Sequence, residues 1–313
     1  MERPARLVLE EKDAAGSLRA TAVSHIAFRV PDVAAAEAFY GRVLGMVRHD
    51  VLPDGVRLGW GGGHHVVDLV AGDGPPGLLH YGFEVRDAGG LAGIRARLTS
   101  AGYRTEDLDP SYVDAPVGAA EGFTVVDPDG TPVHFHSQVD RHGENSADTG
   151  RRPIKYQHVT LGTDDVARLA AFYTDVVGFR ISDQLEDGKF CWLRSDRDHH
   201  TLAVVNVGRA GVLDHYSYDL AEWEDFKAWC DRLTELDVPV AWGPGRHGPG
   251  NNLFVFFDDP AGTHIELSAE MEKFYDDRVT YVPRRWTPAP TTVNLWGGQT
   301  PSWRKVGEQA EAK

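Results

Sequence analysis

The chain states one pattern twice. From His25 the text runs HIAFRVPDVAAAEAFYGRVLGM, and from His158 it runs HVTLGTDDVARLAAFYTDVVGF. At a single offset, His25 matches His158, Phe39-Tyr40 match Phe172-Tyr173, and Gly45 matches Gly178. Self-similarity of this kind marks tandem supersecondary units, so whatever one half folds into the other repeats. The match continues downstream. His64-His65 in HHVVDLV correspond to His199-His200 in HHTLAVV, and His80 in LLHYGFEVRD corresponds to His215 in VLDHYSYDLAE. DPDGTPVHFH then corresponds to DPAGTHIELS, which puts His134 in the place of Glu266. Each half reads as a strand, a helix, then three strands with a further helix between them, around 90–101 in one and 223–236 in the other.

At 313 residues the length suits two such units, each large enough to bury a core. The expected division is a charged lead-in over 1–20, an N-terminal structural module over 21–140, a polar linker over 141–152, a catalytic module over 153–270 and a tail over 271–313. The linker, within DRHGENSADTGRR, has the composition of a domain boundary. The tail, VPRRWTPAPTTVNLWGGQTPSW, is rich in Trp and is expected to pack across the second module. A net charge of −15 argues against nucleic acid, whose binding rests on Lys and Arg at phosphates. Cys191 and Cys230 have no metal or redox spacing, and no apolar run is long enough for a bilayer or a secretion signal. A cytoplasmic protein without a membrane partner is expected.

The stretch over 243–266, GPGRHGPGNNLFVFFDDPAGTHIE, carries the chemistry. A Gly-Pro loop bearing His247 precedes two short strands joined by a turn at Asp259–Gly262, so a hairpin is expected. Alternation places His264 and Glu266 on one face and Ile265 and Leu267 on the other. A glutamate among apolar strand neighbours needs a partner, because burying an unpaired carboxylate is costly. That partner is either an Arg or Lys or a metal ion. His158, His215 and Glu266 hold matched places on three separate strands. Two imidazoles and one carboxylate can fill one face of an octahedron and leave three adjacent positions open, as in non-haem Fe(II) oxygenases.

With the G-R-H…D-P-x-G-x-x-I-E segment and this triad, the chain resembles the type I extradiol ring-cleaving dioxygenases of the vicinal oxygen chelate superfamily over roughly residues 20–285. The resemblance implies an α+β fold, a tandem repeat of two modules built from paired βαβββ units that form open curved sheets. It implies Fe(II), with Mn(II) in a minority, held by His158, His215 and Glu266, an aromatic diol and O2 as substrates, and a homo-oligomer, dimer or tetramer. By the same resemblance His200 is the acid–base catalyst assisting proton delivery, His247 hydrogen-bonds substrate or oxygen from the opposite side, and Trp192 lies beside the ring. Two positions depart from the family pattern. Phe256 stands where a substrate-polarising tyrosine is usual, and Thr160 replaces an asparagine two residues after the first ligand. Trp242 and Val293 occupy places where relatives acting on carboxylated catechols have arginines, so a neutral, apolar diol is expected.

In the first half, His25, His80 and His134 fill all three ligand positions and His65 repeats His200. The expectation is that duplication left these histidines on an inner face without metal. Two other functions fit the same scaffold: a metal-dependent isomerase or lyase of the glyoxalase type, and a metal-free protein that sequesters an aromatic compound. The pair His200 and His247 tells against the first, and the unbroken ligand set against the second.

Overall fold

Strand Lys155–Thr163 and strand Val212–Leu220 bury Tyr156, Val159, Tyr216 and Tyr218 on one face, while His158, Thr160 and His215 point to the other, with the alternation interrupted by bulges. That division of faces organises the molecule. The computed structural model describes residues 8–9, 20–60, 66–108, 121–137, 151–275, 279–297, 300–301 and 303. His64, His65 and most of the lead-in and linker lie outside them, as does the far end of the tail.

Two mixed sheets carry the fold. In the first, the order from edge to edge is Val47–Leu52, Gly55–Gly59, Val67–Ala71, Ala20–Val30, Gly77–Val85, Pro132–Ser137, Gly122–Val126 and Thr105–Asp107. In the second it is Val240–Arg246, Leu253–Asp258, His264–Ala269, Val212–Leu220, Lys155–Thr163, Leu202–Asn206, Phe190–Arg194, Arg180–Leu185 and Arg284–Trp286. In each sheet the two central strands run antiparallel to one another, and each runs parallel to the last strand of its own βαβββ unit. The α+β fold of paired βαβββ units implied by the resemblance is therefore the observed one. From the tail, Arg284–Trp286 adds an edge strand to the second sheet, parallel to Arg180–Leu185. Among the described residues no helix is long and apolar enough to cross a membrane.

The repeat also shapes the helix ends. Asp32 and Asp165 cap their helices by accepting from the backbone N–H of Ala35 and Arg168 at 2.9 and 3.0 Å. Gly45 and Gly178 close them at φ 69° and 101°, in the left-handed region that favours glycine. The last carbonyls of each helix are satisfied from the opposite module. Arg97 Nε donates to Val176 O at 2.9 Å, and Arg232 Nε donates to Val43 O at 3.2 Å. The paired tyrosines follow the same exchange. Tyr40 bonds Tyr216 (2.6 Å) and Asp259 (3.0 Å) of the other module, while Tyr173 bonds Tyr81, which faces Asp127 at 3.3 Å. Tyr40 and Tyr173 thus supply a two-fold clasp between modules.

Asp127 gives this clasp a pH dependence. Burial pushes its carboxyl up to about 6, against hydrogen bonds from the Thr131 and Asp129 backbone. A folded-state value above the ordinary carboxylate value means that this group's contribution is fully present below about pH 4 and is lost as pH rises through about 6. Asn at 127 keeps an oxygen for the two backbone donors without a charge to desolvate. The melting temperature of Asp127→Asn relative to the parent is therefore expected to climb between about pH 4 and about pH 6. A flat difference across thermal melts in that range would contradict the assignment.

One local expectation is corrected. The segment before His247 is not a loop: strand Val240–Arg246 runs through Gly243, Pro244 and Gly245, and the loop begins only at His247. Pro is tolerated because this is the sheet edge and the pairing with Leu253–Asp258 is irregular between Val240 and Gly245. The hairpin Leu253–Asp258 with His264–Ala269 is as expected.

Candidate metal centre

His158, Ser217, Glu266 and Phe256 lie in register across four neighbouring strands, and His215 pairs with Thr160 one step along the same face. The sheet thereby brings three donor atoms together in a buried position. His158 Nε2 is 3.2 Å from His215 Nε2, and Glu266 Oε2 is 3.1 Å from the first and 3.3 Å from the second. Donors about 2.1 Å from a common ion and at right angles about it are separated by about 3.0 Å, so the triangle has the size of one octahedral face. Despite these approaches, the fully buried Oε2 accepts no hydrogen bond from the described residues, whereas Oε1 accepts from Asn252 Nδ2 at 3.2 Å. An orphaned carboxylate oxygen facing two imidazole nitrogens is the electrostatic imprint of a cation, and the set fits one.

The far side of each imidazole is tied down. His158 Nδ1 donates to Gln157 Oε1 at 3.1 Å and His215 Nδ1 to Asp214 Oδ1 at 2.6 Å, which leaves both Nε2 lone pairs directed at the common point. Gln157 and Asp214 were not singled out in the sequence. A residue next to an inward-facing strand residue ordinarily faces away. Both, however, sit where the register between the two central strands slips by one, at bulges between Tyr156 and His158 and between Thr160 and Leu161. Burial alone would raise the Glu266 carboxyl, but the facing imidazoles, His158 foremost, hold it well below the usual carboxylate range. Burial lowers His158, partly offset by Glu266.

Around the triangle opens a cavity lined by His158, Thr160, Phe190, Trp192, His200, His215, His247, Pro249, Glu266 and Val293. Thr160 Oγ1 lies 3.1 Å from His215 Nε2. Phe256 and Trp242 form a layer behind the wall rather than part of it. Phe256 packs edge-on to the His215 ring at 5.0 Å, and Trp242 lies 5.5 Å from the His247 ring. Together with Phe254 and Val293 they make a small buried apolar cluster.

His200 and His247 face the cavity from opposite supports. The His247 Nδ1–H donates to Val293 O at 2.5 Å, so the tail orients this ring and sets Nε2 3.6 Å from Glu266 Oε1. His200 packs at 4.3 Å, ring to ring, on His158, and its Nδ1 is 3.0 Å from His199 Nδ1. His199 Nε2 in turn lies 3.1 Å from Asp183, whose carboxylate also accepts from Arg284 Nε (2.9 Å) and Trp286 Nε1 (2.8 Å). His200 is thus connected through the His199 ring to the Asp183 carboxylate. Burial, reinforced by His158, pushes His200 well below the ordinary imidazole value, so the ring is neutral.

The family model for the Glyoxalase/Bleomycin resistance protein/Dioxygenase superfamily matches residues 22–135 and 155–267. Metapyrocatechase 2 of Cupriavidus necator is 28% identical over 241 residues, 69% of this chain and 71% of the relative. An iron-dependent extradiol dioxygenase of Rhodococcus jostii is 27% identical over 69% of this chain and 76% of the relative. Among solved structures, the Mn(II)-bound glyoxalase from Novosphingobium aromaticivorans superposes with a TM-score of 0.77 at 28% identity, covering 90% of this chain and 92% of that one.

Proposed function

We propose, from the premise that the chain belongs to the Glyoxalase/Bleomycin resistance protein/Dioxygenase superfamily, that it is an Fe(II)-dependent extradiol dioxygenase opening the ring of a neutral catechol-type diol with O2. One observation carries this reading: the triangle of His158 Nε2, His215 Nε2 and Glu266 Oε2, 3.1–3.3 Å on a side with its carboxylate oxygen orphaned, beneath an open cavity. His158, His215 and Glu266 would hold the ion. When bound, Fe(II) supplies adjacent sites for diol and dioxygen and a route for electrons between them. Iron is the ion named for the Rhodococcus relative, whereas the Novosphingobium structure holds Mn(II).

The protein's own groups do the rest. His200, held neutral by its burial, accepts a proton from the diol as it binds and returns it as the ring opens. His247 Nε2 accepts a hydrogen bond from the other side of the cavity. Trp192 and Val293 offer apolar surface to the ring, and no Arg or Lys lines the described cavity wall. A carboxylated catechol would meet no fixed cation, while Glu266 repels it. Phe256 offers no hydroxyl, so proton handling falls to the histidines.

Oxygen uptake by anaerobically purified, Fe(II)-loaded protein, offered neutral and carboxylated catechols in parallel, tests this reading. Uptake with a yellow ring-fission product is expected for neutral diols and weak turnover for carboxylated ones. Conversion of a substrate without oxygen consumption would replace the dioxygenase by an isomerase.

The supports behind the ligands give a second test. Asp214→Ala frees His215 to rotate and to choose either tautomer, and the expected result is a loss of metal affinity of about 10–100-fold. Competition against a chromogenic chelator measures it; unchanged affinity would show that Asp214 plays no part in orienting the ligand.

A further inference from the structure

We infer that the N-terminal module holds a second metal site, a three-histidine site for a divalent zinc-like ion built by His25, His80 and His134. The repeat places these residues at the positions of His158, His215 and Glu266, and the fold brings one donor nitrogen of each within 4.8 Å of the other two. His25 Nε2 lies 3.2 Å from His134 Nδ1, the separation found between His158 and His215. Two imidazole nitrogens face to face can share one proton at most, whereas a common ion uses both lone pairs.

The proton positions around His25 can be followed outward. The His136 Nδ1–H donates to the carbonyl of Ser137 at 2.8 Å, which leaves His136 Nε2 to accept from the Ser24 hydroxyl at 2.7 Å. Ser24 Oγ then accepts from His25 Nδ1–H at 2.8 Å, so His25 Nε2 is bare and directed at His134. Ser24 reaches this position because the register slips between Val23 and His25, the counterpart of the bulge that delivers Gln157 to His158. The ring's pose has an independent requirement. A Cβ at Gly82, directly across from His25, would sit 2.1–2.7 Å from its ring atoms, and the matching position in the second module is Ser217.

The set is all imidazole and therefore neutral, which suits zinc. Leu79 stands where Asp214 supports His215, but Asp68, from the neighbouring strand, lies 3.9 Å from His80 Nε2, with Arg57 3.7 Å from its other oxygen. His25 and His134 are buried, while the His80 side chain is 18% exposed, which gives an ion a way in. The N-terminal site stands whether or not the C-terminal centre cleaves rings.

Metal counting on the full-length protein tests the inference. Chelator-stripped protein is loaded with Zn(II) alone, freed of excess by gel filtration and analysed for bound zinc, with circular dichroism to check folding. The parent is expected to retain two equivalents, Glu266→Ala one, and His134→Ala one. His80→Ala, at the rim where folding is least at stake, is also expected to retain one, with its C-terminal equivalent intact. A double variant, Glu266→Ala with His80→Ala, is expected to retain none. A single equivalent in the parent, lost in Glu266→Ala and untouched by His80→Ala, would overturn the site. Failure of the dioxygenase reading would leave the N-terminal count unchanged.

Discussion

Glu266→Ala is expected to lose the C-terminal metal equivalent and, with it, ring cleavage by at least about 10³-fold, because a bound metal contributes several kcal/mol and each 1.4 kcal/mol is tenfold in rate. The carboxylate supplies the only negative charge in the triangle, and Oε2 accepts no hydrogen bond that an ion would have to break. Removing it leaves the His158 and His215 nitrogens 3.2 Å apart, with Asn252 Nδ2 still donating to Ser268 Oγ at 2.8 Å. The variant should stay folded, since Glu266 in the metal-free state is a buried charge whose removal spares its desolvation. Metal analysis and initial rates on the same preparation check both halves of the expectation. A variant that keeps its metal and its rate would place the ion elsewhere.

His200→Phe is the complementary case. Phe fills a similar volume over His158 but can neither accept nor return a proton, so the C-terminal metal equivalent should remain while kcat falls about 10²–10⁴-fold. The diol KM should change far less than kcat, because His200 is assigned a proton rather than a binding contact. Steady-state oxygen consumption on metal-matched samples measures the split. Equal losses in kcat/KM with kcat unchanged would make His200 a binding residue. Asp183→Asn should reproduce part of the kcat loss, since Asp183 backs His199 and is itself held by Arg284 and Trp286.

The difference between these two sites explains how much could be read in advance. Glu266 and its two histidines were legible because a repeat with one offset puts matched residues on matched strands, and strand alternation settles their face. His200 and His247 were legible only through resemblance. The residues that position them were not. Asp183 reaches His199 across two strands and is locked there by Arg284 and Trp286 from an edge strand that the chain supplies about a hundred residues later. Gln157, Asp214 and Ser24 escaped because bulges break the period-two rule on which the reading of faces depends. Trp242 and Phe256, expected as substrate contacts, pack on the rings of His247 and His215, a contact that pattern alone does not tell. The exchange of Tyr40 and Tyr173 between modules was equally hidden, because apolar periodicity says that a side chain is buried and not in which module its partner lies.

Extradiol cleavage by this centre makes one demand that neither an isomerase nor a binding protein shares: both atoms of dioxygen must enter the opened ring. The direct measurement is turnover of a neutral catechol by Fe(II)-loaded protein under isotopically labelled dioxygen, with mass spectrometry of the product. One O2 consumed per diol, without added reductant, and a labelled atom retained in the new carboxylate is the expected result. A product whose carboxylate takes its oxygen from water, or conversion that proceeds equally well without dioxygen, would contradict the assignment of His158, His215 and Glu266 to an oxygen-activating centre.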